Sequence, residues 1–290
     1  MEVKWNILYR GFLDSCNYDC PYCPFAKKKN TKEELLKDKI ALEKFTNWVS
    51  KRKEKLSILI TPWGEGLIRK YYQETMVALS HIENVEKIAI QTNLACNLKW
   101  VENVNKEKFA LWITYHPNEV SFEKFVAKCK KLIAMNIDFS IGVVGVKDHF
   151  EAIENLKKAV SERYIWVNAY KREKNYYTAS EKKWLTDKDH LFPINNKVYD
   201  TLGKKCKAGY SSFSINGNGD VFRCHFIKNK IGNIYEDDLN DIKKEENCTN
   251  TGCRCYIGYI NFNELKLEEI YTENLMVRIP KIKNIKNKNI

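Results

Sequence analysis

Six short runs of β-branched and aromatic residues alternate with longer segments of helical periodicity, and this alternation restricts the fold more than any other feature. The runs are 5–9, 56–61, 87–92, 111–115, 139–146 and 164–169. Between them, apolar residues recur at the 3.6-residue period of an amphipathic helix. The first helix begins at a capping box, Thr31-Lys-Glu-Glu34, and sets Leu35, Leu42, Phe45 and Val49 on one face. Further helices are expected near 71–82, 122–135 and 150–160. Parallel strands need crossover segments of this length, so the pattern predicts an α/β fold with a parallel sheet. Six units fall short of a complete eight-fold barrel. The expected architecture is an open, partial (β/α)6 TIM-like barrel.

After residue 170 the pattern changes. The stretch 171–205 is polar and lysine-rich, with weak helical character around 179–191, and reads as a connecting region. From Cys206 onward, five of the ten cysteines fall within fifty residues. Two strands, 211–215 and 220–225, meet at Asn216-Gly-Asn-Gly219, whose residues tolerate the positive φ of a hairpin turn. The expected division is therefore a core over 1–170, a connector over 171–205, a cysteine-rich domain over 206–265 and a basic tail over 266–290.

Composition matters here through two quantities, a net charge of +12 and the ten cysteines. The first residues show neither a long apolar run nor a small-residue cleavage site, and no stretch approaches the ~20 apolar residues that span a bilayer. A cytosolic location with no membrane partner is the expectation. Thiols stay reduced there, so the cysteines point to metal or catalytic roles rather than disulfides. The positive charge is spread along the chain, and its clearest concentration, four lysines in 280–290, reads as a solvated terminus. A basic surface attracts phosphates. No recognition motif accompanies it, which argues against nucleic acid as the partner.

Directly after the first strand comes Cys16-Asn-Tyr-Asp-Cys20-Pro-Tyr-Cys23-Pro. Three thiols on one loop can converge on one metal centre. A structural zinc site wants four ligands, and no fourth follows locally. A cubane iron–sulfur cluster held by three thiolates leaves one iron open for a small molecule. The spacing, with an aromatic residue before the third cysteine, resembles the defining motif of the radical S-adenosylmethionine (radical SAM) superfamily. The resemblance implies that Cys16, Cys20 and Cys23 hold a [4Fe-4S] cluster, that S-adenosylmethionine (SAM) chelates its unique iron, and that Tyr22 packs near the adenine.

A second match lies at Ile60-Thr-Pro-Trp-Gly64-Glu65-Gly66. Relatives commonly carry Gly-Gly-Glu-Pro at the end of the second strand, where it receives the SAM ammonium group. Only Gly64 and Glu65 match, since Trp63 and Gly66 replace the flanking residues. At the end of the third strand Asn93 stands where relatives often have Thr-Asn-Gly, which implies a cofactor contact. His116 and Asn168, at later strand ends, are either further site residues or hydrogen-bonded rim residues.

In the C-terminal part, Cys206, Gly219 and Cys224 resemble the opening of the SPASM and twitch extensions of radical SAM enzymes, in which a hairpin carries cysteines of an auxiliary [4Fe-4S] cluster. That resemblance implies a small C-terminal β-hairpin/helix iron–sulfur extension with one auxiliary cluster. Cys206, Cys224, Cys253 and Cys255 are its expected ligands and Cys248 the alternate; four thiolates also form an ordinary zinc set. Cys129 lies on an apolar helical face and reads as core. Cys96 reads as a loop cysteine, with hydrogen-atom donation to a substrate radical as the functional alternative.

The segments Ile7-Leu-Tyr-Arg-Gly11, Tyr115-His-Pro117 and Arg223-Cys-His-Phe226 further resemble one compact set of small bacterial radical SAM proteins known mainly from gene clusters. The family likeness implies reductive cleavage of SAM to a 5′-deoxyadenosyl radical and abstraction of a substrate hydrogen. The auxiliary cluster would then serve electron transfer or substrate binding. Its implied partners are a small-molecule or peptide substrate and an electron donor such as flavodoxin or ferredoxin. Two other readings stay open: an RNA-modifying enzyme of the same family, and a zinc-stabilised binding module without catalysis.

Overall fold

A computed structural model of the chain describes residues 4–281. In β1 (Lys4–Arg10), Trp5, Ile7 and Tyr9 pack into one core while Leu8 packs into another. The same period-two division holds in β2 (Lys55–Ile60), where Leu56, Ile58 and Ile60 face away from Leu59. It recurs in β4 (Phe109–Tyr115), with Leu111 and Ile113 opposite Ala110 and Trp112. Between these run β3 (Val85–Thr92) and, beyond them, β5 (Asp138–Val144) and β6 (Ile165–Asn168). All six pair in parallel and in order. Both faces are buried, as parallel sheets require.

The outer face carries the helices. These are α1 (Lys32–Ser50), α2 (Lys70–His81), α3 (Phe122–Ala134), α4 (Phe150–Ala159) and α5 (Ala179–Lys188). The capping box forms as expected: Thr31 Oγ1 accepts from the Glu34 N–H at 3.2 Å, and Glu34 Oε2 accepts from the Thr31 N–H at 2.9 Å. Leu42, Phe45 and Val49 of α1 are fully buried against β1 and β2. Each such side chain stabilises the fold by roughly 1.5–3 kcal/mol. Cys129 lies in this core, as read from its helical face.

Past α5, a short pair forms from β7 (Tyr199–Asp200) and a later strand. The hairpin follows as β8 (Ser212–Asn216) and β9 (Asp220–Phe222), with β10 (Lys230–Asn233) beyond it. Strand β8 lies parallel to β1, so the sheet runs β10-β9-β8-β1-β2-β3-β4-β5-β6. Its edges, β10 and β6, do not meet, and the architecture is an open partial barrel. The strand β11 (Gly252–Cys253) completes the small sheet with β7.

The inner face is filled by the C-terminal segment. Here the structure differs from the expected tail over 266–290. Leu267, Ile270, Tyr271, Met276 and Val277 are buried against Trp112, Trp166 and Tyr256. Without them those rings would face water at the centre of the barrel. Arg278 joins the same layer, its guanidinium 3.7 Å from the Trp166 ring centroid and 4.2 Å from that of Tyr256. Most of the lysine-rich end, 282–290, lies outside the described residues. Among the described residues no helix is long and apolar enough to cross a membrane.

Candidate functional site

The loop that follows β1 is held from beneath by one buried carboxylate. Asp38 of α1 accepts from the N–H groups of Phe12 at 2.6 Å and Leu13 at 2.9 Å, and from the Tyr71 hydroxyl at 2.8 Å. Gly11 passes so close that a Cβ would stand 2.4 Å from Asp38 Oδ1. Backbone bonds then continue the β1–β2 pairing past the strand ends: Thr61 N–H to Tyr9 O at 2.9 Å, Trp63 N–H to Leu13 O and Glu65 N–H to Ser15 O, both at 3.2 Å. At Gly64 the approach is closest. A Cβ there would fall 1.8 Å from Ser15 O, so only glycine lets the β2 turn rest on the cysteine loop.

Glu65 joins this turn to the end of β3. It is 2% exposed, and its carboxylate accepts from Leu67 N–H and Thr92 Oγ1 at 2.9 Å and from Asn93 N–H at 2.5 Å. Burial pushes its carboxyl up to about 7 against these hydrogen bonds. A carboxylate has about four lone-pair sites, so one remains for a ligand. Asn93 reaches back with its side chain, donating from Nδ2 to Asn17 Oδ1 at 3.0 Å and approaching Cys16 Sγ at 3.8 Å. Cys16, Glu65 and Asn93 therefore form one rigid corner.

The opposite wall comes from β4. His116 Nδ1 lies 2.8 Å from the Tyr22 hydroxyl and 3.3 Å from Cys20 Sγ, with the His116 and Tyr22 rings stacked. Burial presses the imidazole down to about 4, assisted by His149, and keeps it neutral. Burial also raises the thiols of Cys16 and Cys20, the latter to about 11. Cys16, Cys20, Cys23, Tyr22, Gly64, Glu65, Asn93, His116 and Asn168 all line one cavity of about 270 Å³. It opens at the C-terminal ends of the parallel strands, where such sheets bind ligands.

Cys96 is not brought to this cavity. It is 4% exposed and packs in the outer core, where burial pushes its thiol up to about 11. Lys128 holds that turn by donating to the carbonyls of Leu94, Ala95 and Cys96.

In the C-terminal part, Cys206, Cys224, Cys248 and Cys253 line a second, small cavity. Cys255 does not line it, is exposed, and precedes the helical turn Tyr256–Tyr259. The cavity thus groups Cys248 with Cys206, Cys224 and Cys253, where the resemblance implied Cys255 with Cys248 as the alternate. Arg223 braces the chain beside this cavity. Its buried guanidinium donates to the carbonyls of Ala208, Glu246 and Asn247, tying the segment after Cys206 to the segment before Cys248. Gly258 leaves room beside Cys253, since a Cβ would lie 2.8 Å from its Sγ. Among the described residues no three His, Cys, Asp or Glu side chains are drawn in to the span of a single metal ion.

Two residues between these cavities were not singled out as site residues from the sequence. Arg10 at the end of β1 and His225 after β9 face one another, Arg10 Nη1 lying 2.9 Å from His225 Nε2. Their contact joins positions 215 residues apart, and no local pattern announces it.

Residues 206–256 match the SPASM iron–sulfur cluster-binding domain. No curated protein matches the chain. Among solved structures, hexahistidine-tagged anSMEcpe with bound AdoMet is similar at 15% identity and a TM-score of 0.57, covering 83% of this chain and 80% of that one. Native anSMEcpe with bound AdoMet and Cp18Cys peptide is similar at 15% identity and a TM-score of 0.55, covering 82% and 80%. At this identity the likeness is one of fold. Together with the matched domain, it gives a chain that shares the fold of these AdoMet-bound structures and carries a C-terminal segment similar to the SPASM iron–sulfur cluster-binding domain.

Proposed function

We propose that the chain is a radical SAM enzyme. Cys16, Cys20 and Cys23 are its ligands for a [4Fe-4S] cluster, and Cys206, Cys224, Cys248 and Cys253 are those for an auxiliary [4Fe-4S] cluster. The observation that carries this reading is the donor set. Three thiols of one loop open into one cavity with room beside them and no fourth protein thiol, which suits a cluster with one exchangeable position. Four thiols line the second site, where Gly258 keeps space next to Cys253. Held by these residues, a reduced cluster would supply one electron for cleavage of the SAM sulfur–C5′ bond, giving methionine and a 5′-deoxyadenosyl radical able to take a hydrogen atom from the substrate.

The chain's own residues bind and orient. Glu65 fixes the turn carrying Gly64 and keeps one lone-pair site open to an ammonium group. Asn93 sets the position of Cys16, and His116 sets that of Tyr22 and Cys20. Substrate enters from the mouth between the two thiol sites. The peptide held by a solved structure of the same fold supports a peptide as one substrate class beside small molecules. An external one-electron donor such as flavodoxin or ferredoxin supplies the reducing electron.

The test is anaerobic reconstitution with iron and sulfide, followed by chemical reduction in the presence of SAM. The expected result is a brown protein that forms 5′-deoxyadenosine, and a Cys16/Cys20/Cys23→Ala triple variant that forms none. Bound zinc without iron, or SAM cleavage retained by the triple variant, would overturn the assignment.

A further inference from the structure

Arg10 is a half-buried cation near the Cys255 thiol and, among the described residues, in no ion pair with a carboxylate. Its Nε donates to Thr61 O at 2.6 Å, its Nη2 to Thr61 Oγ1 at 3.0 Å, and its Nη1 to His225 Nε2. A guanidinium only donates, so His225 Nε2 must accept and its proton sits on Nδ1. Three of the five guanidinium N–H groups are then used, and two remain. Among the described residues no carboxylate forms an ion pair with Arg10. Burial lowers its pKa to about 10, which leaves it charged at neutral pH.

The surroundings are aromatic. The Arg10 guanidinium lies 3.8 Å from the Trp63 ring centroid, and Trp63 sits beside Phe25 at 4.6 Å and His225 at 5.5 Å. Phe226 adjoins His225 and is 40% exposed; Phe25 is 46% exposed. Trp63 lines both the cysteine cavity and a neighbouring one of about 480 Å³. Arg10, His225 and Lys228 also line that neighbour, and among the described residues no Asp or Glu does. The result is an open, cationic, ring-walled space that runs from the first thiol site toward Cys224.

We propose that Arg10, backed by His225 and floored by Trp63, is the anchor for an oxyanion of the substrate, whose class is an organic anion with an apolar body. The spare N–H groups of the fork give such a group charge-assisted hydrogen bonds in a desolvated setting. Anchoring there holds the body of the molecule along Trp63 and Phe25, with its far end toward the cavity of Cys16 and Glu65. A carboxylate and a phosphate monoester share this chemistry.

The inference rests on reading the space between the thiol sites as the substrate path, but its test requires no SAM cleavage. Calorimetric titration of the anaerobically reconstituted enzyme would use N-acetylphenylalanine, its neutral amide, and phenyl phosphate. The expected result is binding of one or both anions with the amide at least tenfold weaker. The tighter anion identifies the oxyanion source. Arg10→Gln should weaken anion binding about ten- to a hundredfold while leaving the amide unchanged, and Arg10→Lys should weaken it less. Iron content and far-ultraviolet circular dichroism confirm that both variants fold. Equal affinity for acid and amide in the unaltered enzyme, or an Arg10→Gln variant that binds the anion as before, overturns the proposal. Neither result touches the 5′-deoxyadenosine assay.

Discussion

The Glu65 carboxylate and the Asn93 backbone N–H, 2.5 Å apart, join the end of β2 to the end of β3 directly beneath Cys16. Two further donors, Leu67 N–H and Thr92 Oγ1, converge on the other oxygen. Glu65→Gln keeps the shape but turns an NH2 group toward at least one of these donors. A buried donor left unmatched costs about 1–3 kcal/mol. The variant should lose that much stability by urea unfolding and bind SAM more weakly by equilibrium dialysis. An unchanged urea midpoint would show that the corner is held by the backbone alone.

Gly64 tests the same corner from the other side. A methyl group at this position meets the Ser15 carbonyl, which belongs to backbone and cannot swing away. Gly64→Ala should therefore push the β2 turn off the cysteine loop and reduce iron at the first site, with the far-ultraviolet circular dichroism of the sheet preserved. Gly66→Ala is the control. Its added Cβ would first meet the Tyr72 ring, a side chain 3.0 Å away, and it should load more iron than Gly64→Ala.

Cys248 and Cys255 separate by a metal count. In the reconstituted enzyme, Cys248→Ala removes one wall thiol of the auxiliary site, and iron should fall from about eight to about four per chain. Cys255→Ala should leave the count unchanged, because that thiol stands outside the cavity. The opposite pattern would return Cys255 to the ligand set.

The features legible in the sequence were those written locally. The strand runs alternate faces, the capping box at Thr31 and Glu34 closes, and the Cys16-to-Cys23 loop follows β1 because spacing within one segment encodes each of them. That Cys248, and not Cys255, lines the second cavity was not legible. The chain beside that cavity is braced by Arg223 gathering the carbonyls of Ala208, Glu246 and Asn247, a tertiary contact with no periodicity. The role of residues 267–278 was hidden for a similar reason. Its apolar residues form no regular stripe, and only the inner face with Trp112 and Trp166 explains why they are buried. Cys96 stands four residues past the end of β3, where a change in chain direction decides between cavity and core. Arg10 was visible as a residue, but its unpaired charge became visible only with His225 beside it.

Acid should destabilise the metal-free protein through its histidines. Burial presses His116 and His225 down to about 4, and His149 also below its ordinary value. In the unfolded chain each titrates near 6.5. Between about pH 6.5 and 4 the unfolded state therefore holds more protons on these groups, and stability rises with pH across that window. Their full contribution is present above 6.5 and is lost as pH falls toward the folded values. Glu65 acts in the opposite sense. Its carboxyl is raised to about 7, so the cost of burying the ionised form is relieved as pH falls below that value. Burial also raises the Asp189 carboxyl, so urea midpoints of the apoprotein, measured with chelator and reductant present, should drop from pH 7 to pH 5 if the three histidines outweigh these two carboxyls. A His116→Asn, His225→Asn double variant should flatten that drop. A double variant with the slope of the unaltered chain would place the acid sensitivity elsewhere.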